Sequence, residues 1–283
     1  MDRPGIARRL AAAFATVLVL SGCAGLRPAT DSGFVTRTLE IDGTRRAYQV
    51  FVPSASARRG PAPVILFLHG SGERGDDGRK PTLVGLGPYV RAHAADFPAI
   101  VVFPQVPDGQ EWQGANVRAA LAALDAATRE FDGDRERTYL TGLSMGGYGV
   151  WEIALAEPER FAALVPVCGA VRRIRPERDL QVTAVADEAD PYAAIATRLS
   201  SVPVWIFHGA KDDVVPTHDD RMLARAFDEV STADARYTEF PDADHNAWDA
   251  TYAGTPALWP WLFAQRLEPN EADDSAGAAG TLP

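Results

Sequence analysis

The chain has 283 residues, of which 46% are hydrophobic and 23% are charged, and its formal net charge at pH 7 is -10. These proportions are typical of a globular protein with a substantial apolar core, and they exclude a chain that is disordered throughout. The acidic balance, and the lack of a Lys/Arg-rich run after the first residues, argue against nucleic acid as a partner.

The first 22 residues have the features of an export signal and not of a folded element. A basic start is followed by an apolar run over residues 10–20, which is too short to span a bilayer comfortably. The run ends in Leu20-Ser21-Gly22-Cys23, which resembles the bacterial lipobox, in which the cysteine thiol receives a lipid. We therefore expect residues 1–22 to be a lipoprotein signal peptide and Cys23 to anchor the exported protein to a bacterial membrane, on its periplasmic or cell-surface side. An ordinary secretory peptide with a chance cysteine is the alternative.

After a linker over residues 23–33, the predicted domain covers residues 34–268 and opens with a β-hairpin. Two runs with strand character, 34–41 and 45–52, are joined through Asp42-Gly43, a strong signal for a tight turn. The last residues, 269–283, lack periodicity and apolar anchors, so we expect a disordered tail.

Between the hairpin and the tail, strand patterns alternate with helix patterns. Predicted strands cover 64–68, 100–103, 138–141, 163–167, 204–207 and 236–240, and predicted helices cover 117–131, 145–156, 222–230 and 256–267. This alternation predicts an α/β fold with a mostly parallel central sheet and helices on both of its faces. In such a sheet ligands bind at the carboxyl ends of the strands, so we expect the functional residues in the loops that follow them.

The strongest chemical signal is Gly142-Leu143-Ser144-Met145-Gly146, which lies between a predicted strand and a predicted helix. It matches the Gly-x-Ser-x-Gly pattern, in which a serine stands on a turn too sharp for side chains at the flanking positions. A mere strand-to-helix turn is the alternative, but the flanking elements favour Ser144 as a nucleophile.

A serine hydroxyl needs a neutral imidazole to take its proton, and five histidines compete for that role. His69 and His208 each precede a glycine at the end of a buried strand, where a structural hydrogen-bonding role is more common. His93 is expected in a surface helix, and His218 opens a helix beside two aspartates. Only His245 follows the last predicted strand, so it is the predicted base.

The imidazole in turn needs a carboxylate to orient it, and Asp212 lies just beyond a buried strand, between the nucleophile and the base in the chain. Asp213 competes with it, and Asp242 and Asp244 flank the predicted base. The position of Asp212 relative to the strand end favours it as the acid.

Backbone amides must also face the oxyanion that forms when a serine attacks a carbonyl. One donor is expected to be the N–H of Met145, next after the nucleophile, and the other should come from the glycine-rich loop 69–75 after an early strand. Ser71 is the predicted donor in that loop.

Taken together, these motifs resemble those of the bacterial α/β-hydrolases of the phospholipase/carboxylesterase, dienelactone hydrolase and polyhydroxybutyrate depolymerase-like group, which also includes predicted peptidases. The resemblance covers about residues 34–267, and it rests on Leu68-His69-Gly70-Ser71-Gly72-Glu73-Arg74-Gly75, Phe103-Pro104-Gln105 with Trp112, residues 142–147, His208-Gly209-Ala210-Lys211-Asp212 with Val215-Pro216, and Asp244-His245-Asn246-Ala247-Trp248. It implies the α/β-hydrolase fold and a triad in which Asp212 is the acid. It also implies that Trp112 is a wall of the substrate pocket, although an aromatic near a strand end can equally belong to the core.

The expected function is hydrolysis of carboxylic esters with short or medium acyl, aryl or polymer groups, through an acyl-serine intermediate and without a cofactor or metal. A serine peptidase acting on small peptides is the first alternative, and an inactive surface-anchored binding protein is another. A third alternative is a metal site formed by Asp212, Asp213, His218, Asp219 and Asp220.

Overall fold

The structure, a computed structural model, describes residues 32–268. The predicted signal peptide, Cys23, most of the predicted linker and the predicted tail lie outside these residues. Within residues 32–268, no helix combines the length and apolarity needed to cross a membrane.

A hairpin opens the described chain. Strands β1 (Gly33–Ile41) and β2 (Thr44–Val52) pair antiparallel, with Ile41 opposite Thr44. The two turn residues, Asp42 and Gly43, have φ of 50° and 72°. A two-residue turn of this kind needs positive φ at both positions, which glycine adopts freely and aspartate tolerates. The predicted hairpin is confirmed.

Six further strands extend the sheet, and within the described residues it has eight in all. They are β3 (Ala62–Leu68), β4 (Ile100–Phe103), β5 (Gly133–Leu143), β6 (Ala163–Val167), β7 (Val204–Gly209) and β8 (Ala235–Phe240). The order across the sheet is β1-β2-β4-β3-β5-β6-β7-β8, with β2 antiparallel to β4 and the strands from β4 to β8 parallel. The predicted mostly parallel sheet is confirmed.

Helices cover both faces of the sheet. They are α1 (Leu86–Ala92), α2 (Ala115–Glu130), α3 (Met145–Ala156), α4 (Pro191–Arg198), α5 (His218–Val230), α6 (Ala247–Tyr252) and α7 (Leu258–Ala264). Successive residues of a strand point to opposite faces, and in β3 Leu66 and Leu68 pack with α2 to α5 while Ile65 and Phe67 pack with α1, α6 and α7. This arrangement buries every residue of β3.

The final helix differs from its prediction. The sequence pattern indicates a helix over 256–267 that starts with Pro256, whereas α7 covers only Leu258–Ala264. Pro260 lies in the first turn of α7, where the backbone N–H has no helical acceptor and a proline is tolerated. The helix ends because Gln265 adopts an extended backbone with ψ of 141°. The short helices α1, α4 and α6 were not predicted, because six to eight residues hold too little periodicity to be recognised.

Candidate active site

Three loops at the carboxyl edge of the sheet bring Ser144, Asp212 and His245 together. They follow β5, β7 and β8, strands that are close neighbours at one end of the sheet. Nε2 of His245 lies 2.9 Å from the Ser144 hydroxyl, and Nδ1 of His245 lies 2.7 Å from Oδ2 of Asp212. The three side chains therefore form a continuous hydrogen-bonded row, although 101 residues separate Ser144 from His245 in the chain.

The backbone holds Ser144 in a conformation that side chains rarely adopt. Its φ is 55° and its ψ is -118°, and its N–H donates to the carbonyl of Val167 at 2.9 Å. A Cβ atom at Gly146 would lie 2.0 Å from the carbonyl oxygen of Leu68, and one at Gly142 would lie 2.5 Å from that of Gly146. The two glycines thus let the start of α3 approach β3 closely enough for the turn to form.

Asp212 is the carboxylate that the fold places beside the imidazole. Its side chain is fully buried, and its Oδ1 accepts the backbone N–H groups of Val214 and Val215, each at 2.9 Å. Burial by itself would raise the pKa of Asp212, but hydrogen bonds from His208, His245 and the Val215 amide outweigh it and hold the pKa well below its ordinary value. Asp212 is therefore ionised at neutral pH.

The competing carboxylates lie elsewhere. Asp213 is exposed, Asp242 is exposed and paired with Lys211 at 2.8 Å, and Asp244 caps the N–H of Asn246 at 2.9 Å. None of these three contacts His245 through a hydrogen bond in the described part of the chain.

His69 is a structural group, as the sequence favours. The N–H of Val106 donates to its Nε2 at 3.0 Å, so the ring hydrogen is on Nδ1 and donates to the carbonyl of Gly70 at 2.6 Å. Burial lowers the pKa of His69 to about 4, which leaves the ring neutral. Among the remaining histidines, His93 follows α1 and is exposed, and His218 is the first residue of α5.

The two predicted oxyanion donors are Met145, directly after Ser144, and Ser71, in a loop that approaches Ser144. Met145 is the first residue of α3, so its N–H lies in the first turn and has no acceptor within the helix. Ser71 begins a short 3-10 segment, Ser71–Glu73, directly after β3, and a Cβ at the preceding Gly70 would lie 3.6 Å from Cβ of Ser144. Both predicted donors thus belong to backbone segments close to the Ser144 side chain.

A salt-bridged cluster anchors the Ser71 loop. Arg178 donates to the Ser71 hydroxyl at 3.0 Å and to Glu111 at 2.9 Å, and Arg74 donates to the same carboxylate at 2.6 Å. Two guanidinium groups thus share the single carboxylate of Glu111. Sequence reasoning missed this cluster, because no pattern links residues 74, 111 and 178 before the chain is folded.

A cavity of about 320 Å³ opens beside Ser144 and His245. Its walls are mainly apolar, with Glu73, Arg175 and Arg178 as charged members, and they consist of residues 70–73, Val84, Leu143, Ser144, Ile174, Arg175, Arg178, Leu180, Val214, Val215, His245 and Trp248. The irregular segment after β6 supplies four of these residues, and Trp248 stands edge-on to His245 with ring centroids 5.5 Å apart. No sequence pattern indicated Val84 or Ile174 as wall residues.

Trp112 does not line this cavity, contrary to its prediction as a pocket wall. The side chain is 2% exposed and belongs to the core on the α2–α3 side of the sheet. Its indole N–H donates to the carbonyl of His69 at 3.0 Å, and its ring stands edge-on to His69 at 5.0 Å. Trp112 therefore supports the start of the Ser71 loop from the core, through its contacts with His69.

The predicted alternative of a metal site on five acidic and histidine residues does not form. Asp219 accepts the N–H groups of Val171 and Arg172, each at 2.8 Å, and Asp220 contacts His208. Within residues 32–268, the one group of side chains close enough to hold an ion is Cys168, Asp212 and His245. Two of its members, Asp212 and His245, are already hydrogen-bonded to each other in the row that ends at Ser144. Their closeness is therefore explained by that row.

Comparison with known proteins gives a family and several relatives. The model of the prolyl oligopeptidase family matches residues 109–262. A protein of Arthroderma benhamiae, described as an uncharacterized secreted protein, is 26% identical over 201 residues, which are 65% of this chain and 21% of that protein. The ferri-bacillibactin esterase BesA of Bacillus subtilis is 27% identical over 167 residues, which are 48% of this chain and 58% of BesA.

Among solved structures, a thermostable esterase is similar, with 28% sequence identity and a TM-score of 0.65 over 82% of this chain and 63% of that one. The chain thus spans about a fifth to three fifths of the lengths of these three relatives. The predicted α/β-hydrolase fold and superfamily are confirmed by these matches together with the strand order.

Proposed function

This chain belongs to the prolyl oligopeptidase family of α/β-fold hydrolases, and we propose that it is a serine esterase with Ser144 as nucleophile, His245 as base and Asp212 as acid. The observation that carries the proposal is the hydrogen-bonded row from Asp212 through His245 to the Ser144 hydroxyl. A serine becomes reactive at neutral pH when an imidazole can take its proton and a buried carboxylate fixes that imidazole.

In the proposed reaction, Nε2 of His245 takes the hydroxyl proton as Ser144 Oγ attacks the ester carbonyl. The carbonyl oxygen becomes an oxyanion, which the amides of Met145 and Ser71 stabilise. The bond to the alcohol then breaks, and the alcohol leaves with the proton from His245. Water, deprotonated by the same ring, attacks the acyl-serine; the bond between the acyl carbon and Ser144 Oγ breaks, the acid leaves, and His245 returns the proton to Oγ. Asp212 keeps the proton of His245 on Nδ1 throughout, and no step requires a cofactor.

The substrate class rests on the cavity and on the relatives. A cavity of about 320 Å³ with mainly apolar walls suits a short or medium acyl or aryl group, or the end of a polyester. BesA and the thermostable esterase are both esterases by name, and they support an ester as the substrate.

The experiment compares neighbouring carboxylates and the nucleophile in hydrolysis of p-nitrophenyl butyrate. Ser144→Ala should lower kcat by about 10³-fold or more, and Asp212→Asn should cause a loss of similar order. Asp213→Asn is the matched control, since Asp213 is exposed and adjacent, and it should retain wild-type turnover. Undiminished turnover in Ser144→Ala would refute the proposal.

A peptidase acting on small peptides is a second candidate, because the family that matches residues 109–262 is a peptidase family. The same triad cleaves amides and esters. Comparing kcat/KM for matched p-nitrophenyl esters and peptide p-nitroanilides separates the two: an esterase should favour the esters by orders of magnitude beyond their difference in intrinsic reactivity.

We also propose export and lipid anchoring at Cys23, which lies outside the described residues. The support is the apolar run and lipobox-like sequence at 20–23, together with a relative that is described as secreted. Cys23→Ser should abolish labelling by a lipid precursor and release the protein from the membrane fraction. Equal lipid labelling of both forms would contradict the anchor.

A further inference from the structure

A second histidine contacts the carboxylate of Asp212. His208 lies near the end of β7, and its side chain is fully buried. Its Nε2 lies 3.2 Å from Oδ2 of Asp212 and 2.8 Å from the carbonyl oxygen of Val215, and its Nδ1 lies 2.7 Å from Oδ2 of Asp220. Both ring nitrogens therefore face oxygen acceptors, and Oδ2 of Asp212 faces two imidazoles at once.

These contacts determine where the protons are. A backbone carbonyl can only accept, so Nε2 of His208 must carry a hydrogen, which it donates to Val215, and Oδ2 of Asp212 lies 3.2 Å from the same nitrogen. A second proton is shared between Nδ1 and Asp220, as imidazolium with carboxylate or as imidazole with carboxylic acid. In both forms the pair is neutral overall, and the Nε2–H group toward Asp212 is present.

Two electrostatic effects act on this pair: burial raises the pKa of Asp220, and the carboxylates around His208 stabilise its imidazolium form. Burial by itself lowers the pKa of His208, but the hydrogen bonds that its ring donates to Asp212 and Asp220 outweigh it and raise the pKa to about 10. Asp220 depends on this partner, because its other oxygen, Oδ1, is buried without a hydrogen-bond partner. A buried carboxylate without any donor would be strongly disfavoured.

We propose that His208, backed by Asp220, is a positioning residue that supplies a permanent N–H donor to Oδ2 of Asp212 and so fixes that carboxylate, ionised, in line with His245. The expected effect on turnover rests on the proposed function, whereas the positioning of the Asp212 carboxylate by His208 does not. The two amides of Val214 and Val215 occupy Oδ1, so Oδ2 would otherwise have His245 as its single donor. With one donor, the carboxylate would be more basic and less constrained in rotation.

Other titratable groups face this row from every neighbouring element. Asp219 on α5 is satisfied by two amides and by the Tyr192 hydroxyl at 2.7 Å, and Glu239 on β8 is paired with Arg221 at 2.7 Å. The remaining groups that interact electrostatically with Asp212, His208 or Asp220 are Tyr148 on α3, Cys168 after β6, Tyr237 on β8 and His245. Only His208 provides Asp212 with a second side-chain N–H donor among the described residues.

The experiment replaces the pair in two ways that both avoid a lone buried charge. His208→Gln with Asp220→Asn keeps an amide donor toward Asp212, whereas His208→Phe with Asp220→Leu fills the space with apolar groups. The apolar double variant should lose about 10²-fold in kcat with KM nearly unchanged, because a displaced Asp212 misaligns His245. The amide double variant should recover most of that loss. His93→Phe is the control for replacing a histidine at an exposed site, and it should match wild type.

The pH profile supplies a readout that a merely structural role would not change. Loss of the donor makes Asp212 more basic, so it retains a proton on His245 to higher pH. The acid limb of kcat/KM should therefore move upward by about one pH unit in the apolar double variant, and much less in the amide double variant. A folded apolar double variant with wild-type kcat and an unshifted acid limb of kcat/KM would overturn the proposal.

Nuclear magnetic resonance of the Ser144→Ala protein tests the positioning without any turnover. With ¹⁵N-labelled histidine, the Nε2–H of His208 should give a slowly exchanging signal that persists to pH 9, and the Nδ1–H signal of His245 should shift in the apolar double variant. An unshifted His245 signal would overturn the inference even if no ester is hydrolysed. If wild type hydrolyses no ester but these signals behave as expected, the proposed function fails and the positioning role stands.

Discussion

Gly146→Ala tests whether the close approach of α3 to β3 is what holds Ser144 in place. The added methyl group would lie 2.0 Å from the carbonyl oxygen of Leu68, 2.6 Å from its carbonyl carbon and 2.9 Å from the carbonyl oxygen of His69. All three atoms belong to the backbone of the strand end and cannot move as a flexible side chain would. To reach the shortest separation that real Cβ atoms show, 3.0 Å, the start of α3 must move away from β3 by about 1 Å.

That displacement separates Ser144 on one side from the loop of Ser71 on the other. A misplacement of about 1 Å in reacting groups costs on the order of 10²-fold in rate. Overpacking of this kind also lowers the free energy of unfolding by about 1–3 kcal/mol. We therefore expect kcat/KM for p-nitrophenyl butyrate to fall about 10²-fold in protein that is still folded.

The assay measures turnover and urea unfolding on the same preparations, so that lost activity is not confused with lost folding. Gly133→Ala is the control: a Cβ there would lie 2.5 Å from Cγ2 of Val64, and Gly133 is the first residue of β5, at the opposite end of that strand from Ser144. The control should lose stability through similar overpacking and keep kcat/KM within a few-fold of wild type. A folded Gly146→Ala enzyme with wild-type kcat/KM would refute the packing argument.

Three further predictions concern the residues around the site. Burial holds the pKa of His69 at about 4, below its ordinary 6.5, so between these pH values His69 is protonated in the unfolded chain and neutral in the folded one. The free energy of unfolding should therefore rise from pH 4.5 to 6.5, and it should rise less in His69→Gln, as measured by urea titrations at each pH. Trp112→Phe removes the donor to the buried His69 carbonyl and should lower the free energy of unfolding in urea by about 1–3 kcal/mol, with KM unchanged. A large rise in KM would mean that Trp112 contacts the substrate. Arg178→Ala removes the hydrogen bond to the Ser71 hydroxyl and should lower kcat/KM about tenfold. The control Arg173→Ala breaks an exposed pair with Asp179 and should leave kcat/KM as in wild type; equal effects of the two variants would show that the Ser71 loop needs no anchor.

Sequence patterns predicted the structural elements that depend only on residues close together in the chain. Asp42-Gly43 indicated the hairpin because only a few residue types adopt positive φ at both turn positions. Gly142 and Gly146 indicated the turn at Ser144 because side chains there would strike neighbouring backbone. The bounds of β4, β6 and α3 equal the predicted ranges: the two strands are short continuous apolar runs, and α3 begins directly after the turn at Ser144.

The order serine, acid, histidine along the chain also made it possible to propose Asp212 and His245 before any distance was known. That inference used the position of each residue just after a strand, because residues that follow the strands of a parallel sheet lie along the same edge of the sheet. It could not assign Trp112, which lies near a strand end and yet packs behind the loop of His69.

Contacts between distant parts of the chain were decided by the tertiary structure alone. His208 and Asp220 are 12 residues apart, and nothing in either local pattern shows that one ring contacts Asp220 and Asp212 together. Arg178 reaches Ser71 across 107 residues from a segment without regular structure, and Ile174 joins the cavity from the same segment. Local sequence fixes backbone conformation through sterics and periodicity, whereas these contacts depend on how strands and loops are arranged once the sheet has assembled.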